Sequence, residues 1–170
     1  MLLTSCSASQ GYTPLNNITE SYSLEDAIND GCVVFDNSQN ISGQSVWDDF
    51  VKNTELGKSD FVRLVLYLAV HEDLEWLNPD YYEQVKDDDP TLYIMDLEFD
   101  GEEYHLSLIE NQKPYSFTYK YMKKLTYSAS DPDLSYPKKQ TYYLLVNDDT
   151  VTWEKLNEGM DHKAVYFYNE

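Results

Sequence analysis

From Phe61 to Val70 the chain is almost continuously apolar, and Arg63 is the only charged residue in the run. A stretch of this kind suits a central strand covered on both faces, because a strand with one wet side would alternate. It calls for neighbouring strands and for covering layers, and the rest of the chain can be read for both.

Upstream, Ser23 and Asp26 form a variant of the capping box, which opens a short helix over Leu24–Asp30 that Gly31 closes. Cys32 to Phe35 is a short apolar strand, and Asn37 to Gly43 is rich in turn residues. Ser45 is placed to cap a second helix, in which Val46, Trp47, Phe50 and Val51 share one face and Gly57 ends the run. Downstream, His71 to Pro90 reads as an excursion from the core. Thr91–Phe99 and Glu102–Ile109 read as a hairpin joined by Asp100-Gly101, a strong signal for a two-residue turn. Tyr115, Phe117, Tyr119 and Tyr121 alternate with polar residues, as in a half-buried strand. Thr141–Val146 and Ala164–Tyr168 are further strands, with a helical turn at Trp153–Asn157 between them. Helices come first and hairpin-linked strands follow. That order predicts an α+β fold: an antiparallel-rich sheet of about six to seven strands with two helices from the N-terminal half packed on one face. Residues 21–170 form a single domain on this reading, and 170 residues suit one domain.

Charge narrows the partners. The net charge is −19, so phosphate backbones and anionic membrane surfaces repel the chain. Acids crowd between Glu72 and Glu103, opposed by Lys86 alone, whereas the stretch from Lys113 to Lys139 is comparatively basic. The two cysteines, Cys6 and Cys32, form neither a disulfide framework nor a metal or redox pair by spacing.

The opening Leu3-Thr4-Ser5-Cys6 resembles the lipobox of bacterial lipoproteins. That motif ends in the cysteine that receives lipid and becomes the mature N-terminus. The resemblance implies lipid attachment at Cys6, a flexible tether within residues 1–20 and an extracytoplasmic location on the bacterial cell membrane. The basic start and the apolar run of about 7–15 residues of a complete signal are missing upstream of it. A true start at Met1 would instead imply a cytoplasmic protein.

Two longer segments point the same way. Gly57-Lys58-Ser59-Asp60-Phe61-Val62-Arg63-Leu64-Val65 and Ile94-Met95-Asp96-Leu97-Glu98-Phe99-Asp100-Gly101-Glu102-Glu103 resemble an uncharacterised domain family of short Gram-positive bacterial lipoproteins. The order helix, strand, helix, strand, hairpin is shared from Ser23 to Leu108, and the stretch near His71–Pro90 is an insertion relative to that pattern. The resemblance implies a tethered envelope protein of unassigned activity.

No residue set carries a catalytic motif. His71 and Glu75 have the spacing of a zinc helix, but its second His is missing. Asp87, Asp88 and Asp89 offer oxygen ligands for calcium without the spacing of a calcium loop. Cys32, flanked by Val33 and Val34, reads as a buried structural thiol. The aromatic stripe Tyr115, Phe117, Tyr119 and Tyr121 is the candidate ligand face, since aromatic residues are enriched at contact surfaces. The expected role is a non-enzymatic envelope module that binds protein, peptide or wall polymer, without a cofactor. Two alternatives stand beside it: a small acidic inhibitor or immunity-type protein for a basic partner, and a hydrolase built on a carboxylate pair.

Overall fold

A computed structural model of the chain describes residues 11–36, 39–68, 91–110, 113–128 and 139–169. Among them are nine strands in two sheets and three α-helices, a sheet-rich α+β fold. The helices are α1 (Leu24–Asn29), α2 (Gln44–Glu55) and α3 (Trp153–Asn157). The strands are β1 (Val33–Phe35), β2 (Asn40–Ser42), β3 (Asp60–Leu68), β4 (Thr91–Phe99), β5 (Tyr104–Glu110), β6 (Lys113–Tyr119), β7 (Tyr121–Ser128), β8 (Lys139–Val146) and β9 (His162–Asn169).

The large sheet has the order β2-β1-β3-β4-β5-β6, and the small one β7-β8-β9. Among the described strands only β1 and β3 pair in parallel, and every other pairing is antiparallel. The apolar run forms β3, flanked by β1 and β4, with Val62 to Val65 fully buried, as a strand covered on both faces should be. Two strands go beyond the expected set. The polar stretch near Asn40 pairs with β1 as an edge strand, where an exposed side chain such as Ile41 meets no penalty. The aromatic stripe is also not one strand: the chain turns a corner at Lys120, whose N–H donates to Asn147 Oδ1 (3.2 Å), and crosses into the small sheet.

Residue alternation along the strands sorts the two helices. Val33, Phe35, Val62, Leu64, Leu97 and Leu106 face inward and pack with Trp47 and Phe50 of α2 and with Leu145, Val165 and Tyr166 of the small sheet. Val34 and Val65 point to the other face, where they meet Ala27 of α1. The two helices therefore lie on opposite faces of the large sheet, not together on one. The physical reason is the length of the connections: α1 enters β1 directly through Gly31, so it folds back over the face that β1 leaves free. The layers thus run from α1 through the large sheet to α2 and the small sheet, with α3 outermost against Leu144, Val146 and Val151.

Local chemistry explains most element ends. Ser23 Oγ accepts from Asp26 N–H (3.2 Å) and the Asp26 carboxylate accepts from Ser23 N–H (2.9 Å), a complete capping box. That hydrogen bonding holds the Asp26 carboxyl below its ordinary pKa. Helix α2 starts one residue before Ser45, after Gly43. There φ is +78°, and a Cβ would lie 2.6 Å from the Cys32 carbonyl oxygen, so only glycine lets α2 start so close to β1. Strand pairing between β4 and β5 ends at Phe99 and Tyr104, but the Asp100 N–H still donates to the Glu103 carbonyl (3.2 Å), so the tight turn falls at Gly101-Glu102, one residue beyond the dipeptide read from the sequence. Asp100 sets that position, because its carboxylate accepts from the N–H groups of Glu102 (2.8 Å) and Glu103 (2.9 Å).

The packed chain also begins earlier than expected. Tyr12 packs on Phe61 (5.8 Å between ring centroids), its hydroxyl donates to the Gly31 carbonyl (3.1 Å), and Leu15–Asn17 forms a 3-10 turn. Residues 12–17, inside the stretch read from the sequence as a tether, therefore lie against the rest of the fold. Cys6 lies outside the described residues.

Candidate functional site

The register of the large sheet lays the inner face out in rows. Leu64, Met95, Leu108 and Tyr115 are cross-strand neighbours in one row; Val62, Leu97, Leu106 and Phe117 form the next, deeper one. Tyr93, paired with Leu66, stands one row further toward the open end. Toward Tyr119 the small sheet and α2 close over this face, and Tyr119 is 2% exposed. Toward Tyr93 they do not reach: Tyr93 is 47% exposed and Tyr115 41%. Among the described residues, the result is an aromatic platform of Tyr93, Met95, Leu108, Tyr115 and Phe117 at the open end of the inner face.

This platform rearranges the aromatic stripe read from the sequence. Tyr115 and Phe117 remain together, with parallel rings 6.5 Å apart. Tyr119 is core. Tyr121 belongs to the small sheet, where the Lys123 ammonium lies 5.1 Å from its ring centroid. Tyr93 was missed, although Tyr93, Met95, Leu97 and Phe99 alternate along β4 and so share a face. Lysines attend the aromatic residues in spite of the acidic total. Lys163 lies over Phe117 (4.8 Å), and Lys124 lies over Tyr143 (5.6 Å) and Tyr168 (5.8 Å). Hydrogen bonding to Tyr168 raises the Lys124 ammonium above its ordinary pKa, outweighing the opposing effect of burial. Such cation–ring contacts tie lysine side chains to the aromatic surface.

The outer face carries a second feature. Arg63 is 1% exposed and makes a bidentate pair with Asp96, Nε to Oδ1 at 2.7 Å and an Nη to Oδ2 at 2.9 Å. Its other Nη donates to the Thr13 carbonyl (2.8 Å), and the guanidinium lies 4.9 Å from the Tyr12 ring centroid. Burial pushes the Tyr12 hydroxyl up to about 12. A single charge inside an apolar run was the available signal for this clamp, because a buried charge needs a partner. Beside the clamp, Leu15, the stretch from Ile18 to Leu24, and Tyr67, Thr91, Leu92, Ile94 and Ile109 bound a groove of roughly 810 Å³. Glu20 is the one ionisable acid among its described lining residues.

The remaining candidates separate clearly. Cys32 is fully buried, and burial raises its thiol pKa, with the Tyr22 hydroxyl 3.7 Å away. Of the histidines, His105 bonds Asp100 (3.0 Å) and Thr118 (3.3 Å), and His162 lies against the Met160 carbonyl (2.8 Å). The calcium candidates Asp87, Asp88 and Asp89, together with His71 and Glu75, lie outside the described residues. Among the described residues no group of three or more His, Cys, Asp or Glu side chains is gathered as for a metal ion, and no helix is long and apolar enough to cross a membrane.

Comparison with protein-family models, with curated proteins and with solved structures finds no match for this chain.

Proposed function

We propose that this chain is a lipid-anchored, extracytoplasmic binding module of the bacterial cell envelope, akin to the short Gram-positive lipoproteins, which holds a protein, peptide or wall polymer without chemical turnover. The observation that carries the binding role is the aromatic platform, where Tyr93 and Tyr115 stay 47% and 41% exposed beside Met95, Leu108 and Phe117. Apolar and aromatic side chains that cluster on one open surface are the usual mark of a contact site. Rigid tyrosines on strands give large contact area at small entropic cost, and their hydroxyls serve hydrogen bonding at the rim. The anchor is supported by Leu3-Thr4-Ser5-Cys6.

The test uses the native gene with its upstream region, expressed in a lipoprotein-processing bacterium. Intact mass and detergent-phase partition should show lipid on the wild type and none on Cys6→Ala. Purified protein should then sediment with cell-wall polymer isolated from the same host. Tyr93→Ala with Tyr115→Ala should weaken that binding about tenfold or more, given typical losses at central aromatic contacts. Tyr127→Ala, an equally exposed tyrosine of the small sheet (48%), should leave it unchanged. Equal loss in both variants, or none in either, removes the platform as the binding face.

A further inference from the structure

We propose that the partner of the aromatic platform is an acidic peptide segment of another protein, which seats apolar side chains on the platform and sets its carboxylates against lysines of the small sheet. The proposal rests on the platform being the binding face. Charge is the selecting observation. The chain carries −19 overall, yet β6, β7, β8 and β9 hold no Asp or Glu, while Lys113, Lys123, Lys124 and Lys163 stand on them. The acids of this half of the chain stand in the connections, as at Asp148 and Asp161. Strands that bear lysine and no acid, in so acidic a chain, are complementary to negative charge and steer it to this side of the molecule.

The lysines stand beside the platform. Lys163 lies 4.8 Å from the ring centroid of Phe117, so a cation sits at the small-sheet rim of the platform itself. Lys124 is opposite Tyr143 in the register of the small sheet, and its ammonium lies 5.6 Å from that ring and 5.8 Å from Tyr168. Both ammonium groups rest on rings, and among the described residues neither makes an ion pair, so each keeps its charge for an incoming carboxylate. Lys113 alternates with Tyr115 and Phe117 along β6 but faces Glu110 across the strand pair, and adds little. The platform then decides among anionic partners. Met95, Leu108 and Phe117 offer no strong hydrogen-bonding group. Only a partner with apolar side chains gains from covering them, whereas a sugar or phosphate polymer would strand its polar groups there. A peptide with Leu or Trp beside Asp or Glu supplies both halves.

The test follows the fluorescence anisotropy of a short fluorescein-labelled peptide, in which Glu alternates with Trp and Leu, titrated with the full chain at low ionic strength. Lys124→Glu with Lys163→Glu should weaken binding about tenfold, since it sets like charges against the carboxylates. Tyr93→Ala with Tyr115→Ala should weaken it about as much. Lys52→Glu with Lys58→Glu makes the same change in net charge near the β4–β5 turn, at the other end of the large sheet, and should leave binding unchanged. Circular dichroism should be the same for every variant. A peptide with Ser in place of Trp and Leu should bind about tenfold more weakly than the first, and inorganic polyphosphate more weakly too. Crude wall material from the host should retain the chain only until protease removes its attached protein. Loss in the tyrosine variant without loss on reversing Lys124 and Lys163 would keep the platform and overturn the acidic partner. Insensitivity to both would remove the platform as well. Equal loss in the two lysine pairs, equal binding of the Ser peptide, tighter binding of polyphosphate, retention by protease-stripped wall, or no binding of the first peptide would each overturn the inference.

Discussion

The two faces of the large sheet are closed by different physics. The inner face is sealed by apolar and aromatic contact: Trp47 packs on Tyr166 (4.6 Å between centroids) and edge-on against Tyr143 (5.0 Å), so α2 joins the two sheets. The outer face is closed by a thin layer, residues 11–29, over a smaller apolar cluster of Ala27, Cys32, Val34 and Val65, and that layer is also held by a buried ion pair, Arg63 with Asp96. Burial of apolar area tolerates approximate geometry, whereas a buried charge is satisfied only when every partner is in place. The inner face should therefore lose stability in proportion to volume removed. The outer face should fail locally when one polar partner is lost.

The largest effect should come from Trp47→Ala, which empties the centre of the inner face. A loss of ~3–5 kcal/mol is expected from the usual cost of deleting a buried large aromatic residue, read from the urea midpoint. A cost below about 1 kcal/mol would mean that the small sheet does not depend on α2, and the contrast between the faces would collapse.

Next in size is Asp96→Ala, which leaves Arg63 buried without its carboxylate. About 3 kcal/mol is expected. Limited proteolysis should also show residues 11–23 released before global unfolding, because Arg63 clamps that segment through Thr13 and Tyr12. The double change Arg63→Met with Asp96→Leu should recover most of the thermodynamic loss, as apolar replacements of buried pairs commonly do. It should not restore the lost hydrogen bond to Thr13. Full recovery of protease resistance in the double variant would show that the segment is held by packing alone.

The smallest effect concerns a more exposed contact of the outer face, the hydrogen bond between Asp100 and His105, whose side chains are 47% and 36% exposed. Hydrogen bonds from His105 and from the N–H groups of Glu103 and Glu102 hold the Asp100 carboxyl at about 2, below the ordinary 3.8. A depressed carboxylate stabilises the fold above its unfolded pKa and ceases to do so as pH falls through its folded value. The contribution should thus be complete above about pH 4 and vanish toward pH 2, and solvent screening should keep it under about 1 kcal/mol. Acid titration of unfolding for wild type and Asp100→Asn should converge at the low end of that window. Divergence there would place the effect in the turn backbone rather than in the charge.

Several features were legible in the residues because their causes are local. The capping box at Ser23 and Asp26, the stop at Gly31, the run that becomes β3 and the alternation of β5 depend on neighbours within a few positions. Other features were not. Asn40–Ser42 carries no strand signal of its own and pairs only because β1 offers an edge. The hairpin turn falls at Gly101-Glu102 because the Asp100 carboxylate accepts from the N–H groups of Glu102 and Glu103, a placement that the Asp-Gly dipeptide does not announce.

The aromatic stripe shows the division most clearly. Alternation from Tyr115 to Tyr121 correctly groups side chains along one direction of the chain, since strand geometry imposes a period of two. It cannot say where a strand turns a corner, and at Lys120 this one leaves its sheet. The sequence by itself determined an α+β domain with a doubly covered central strand, since periodicity and capping are short-range consequences of backbone geometry. Only the tertiary structure decided which helix covers which face, which partner Arg63 finds, and that Tyr93 rather than Tyr119 or Tyr121 completes the exposed platform with Tyr115 and Phe117. Those choices depend on strand order and register, which bring together residues far apart in the chain and so leave no trace in any local window.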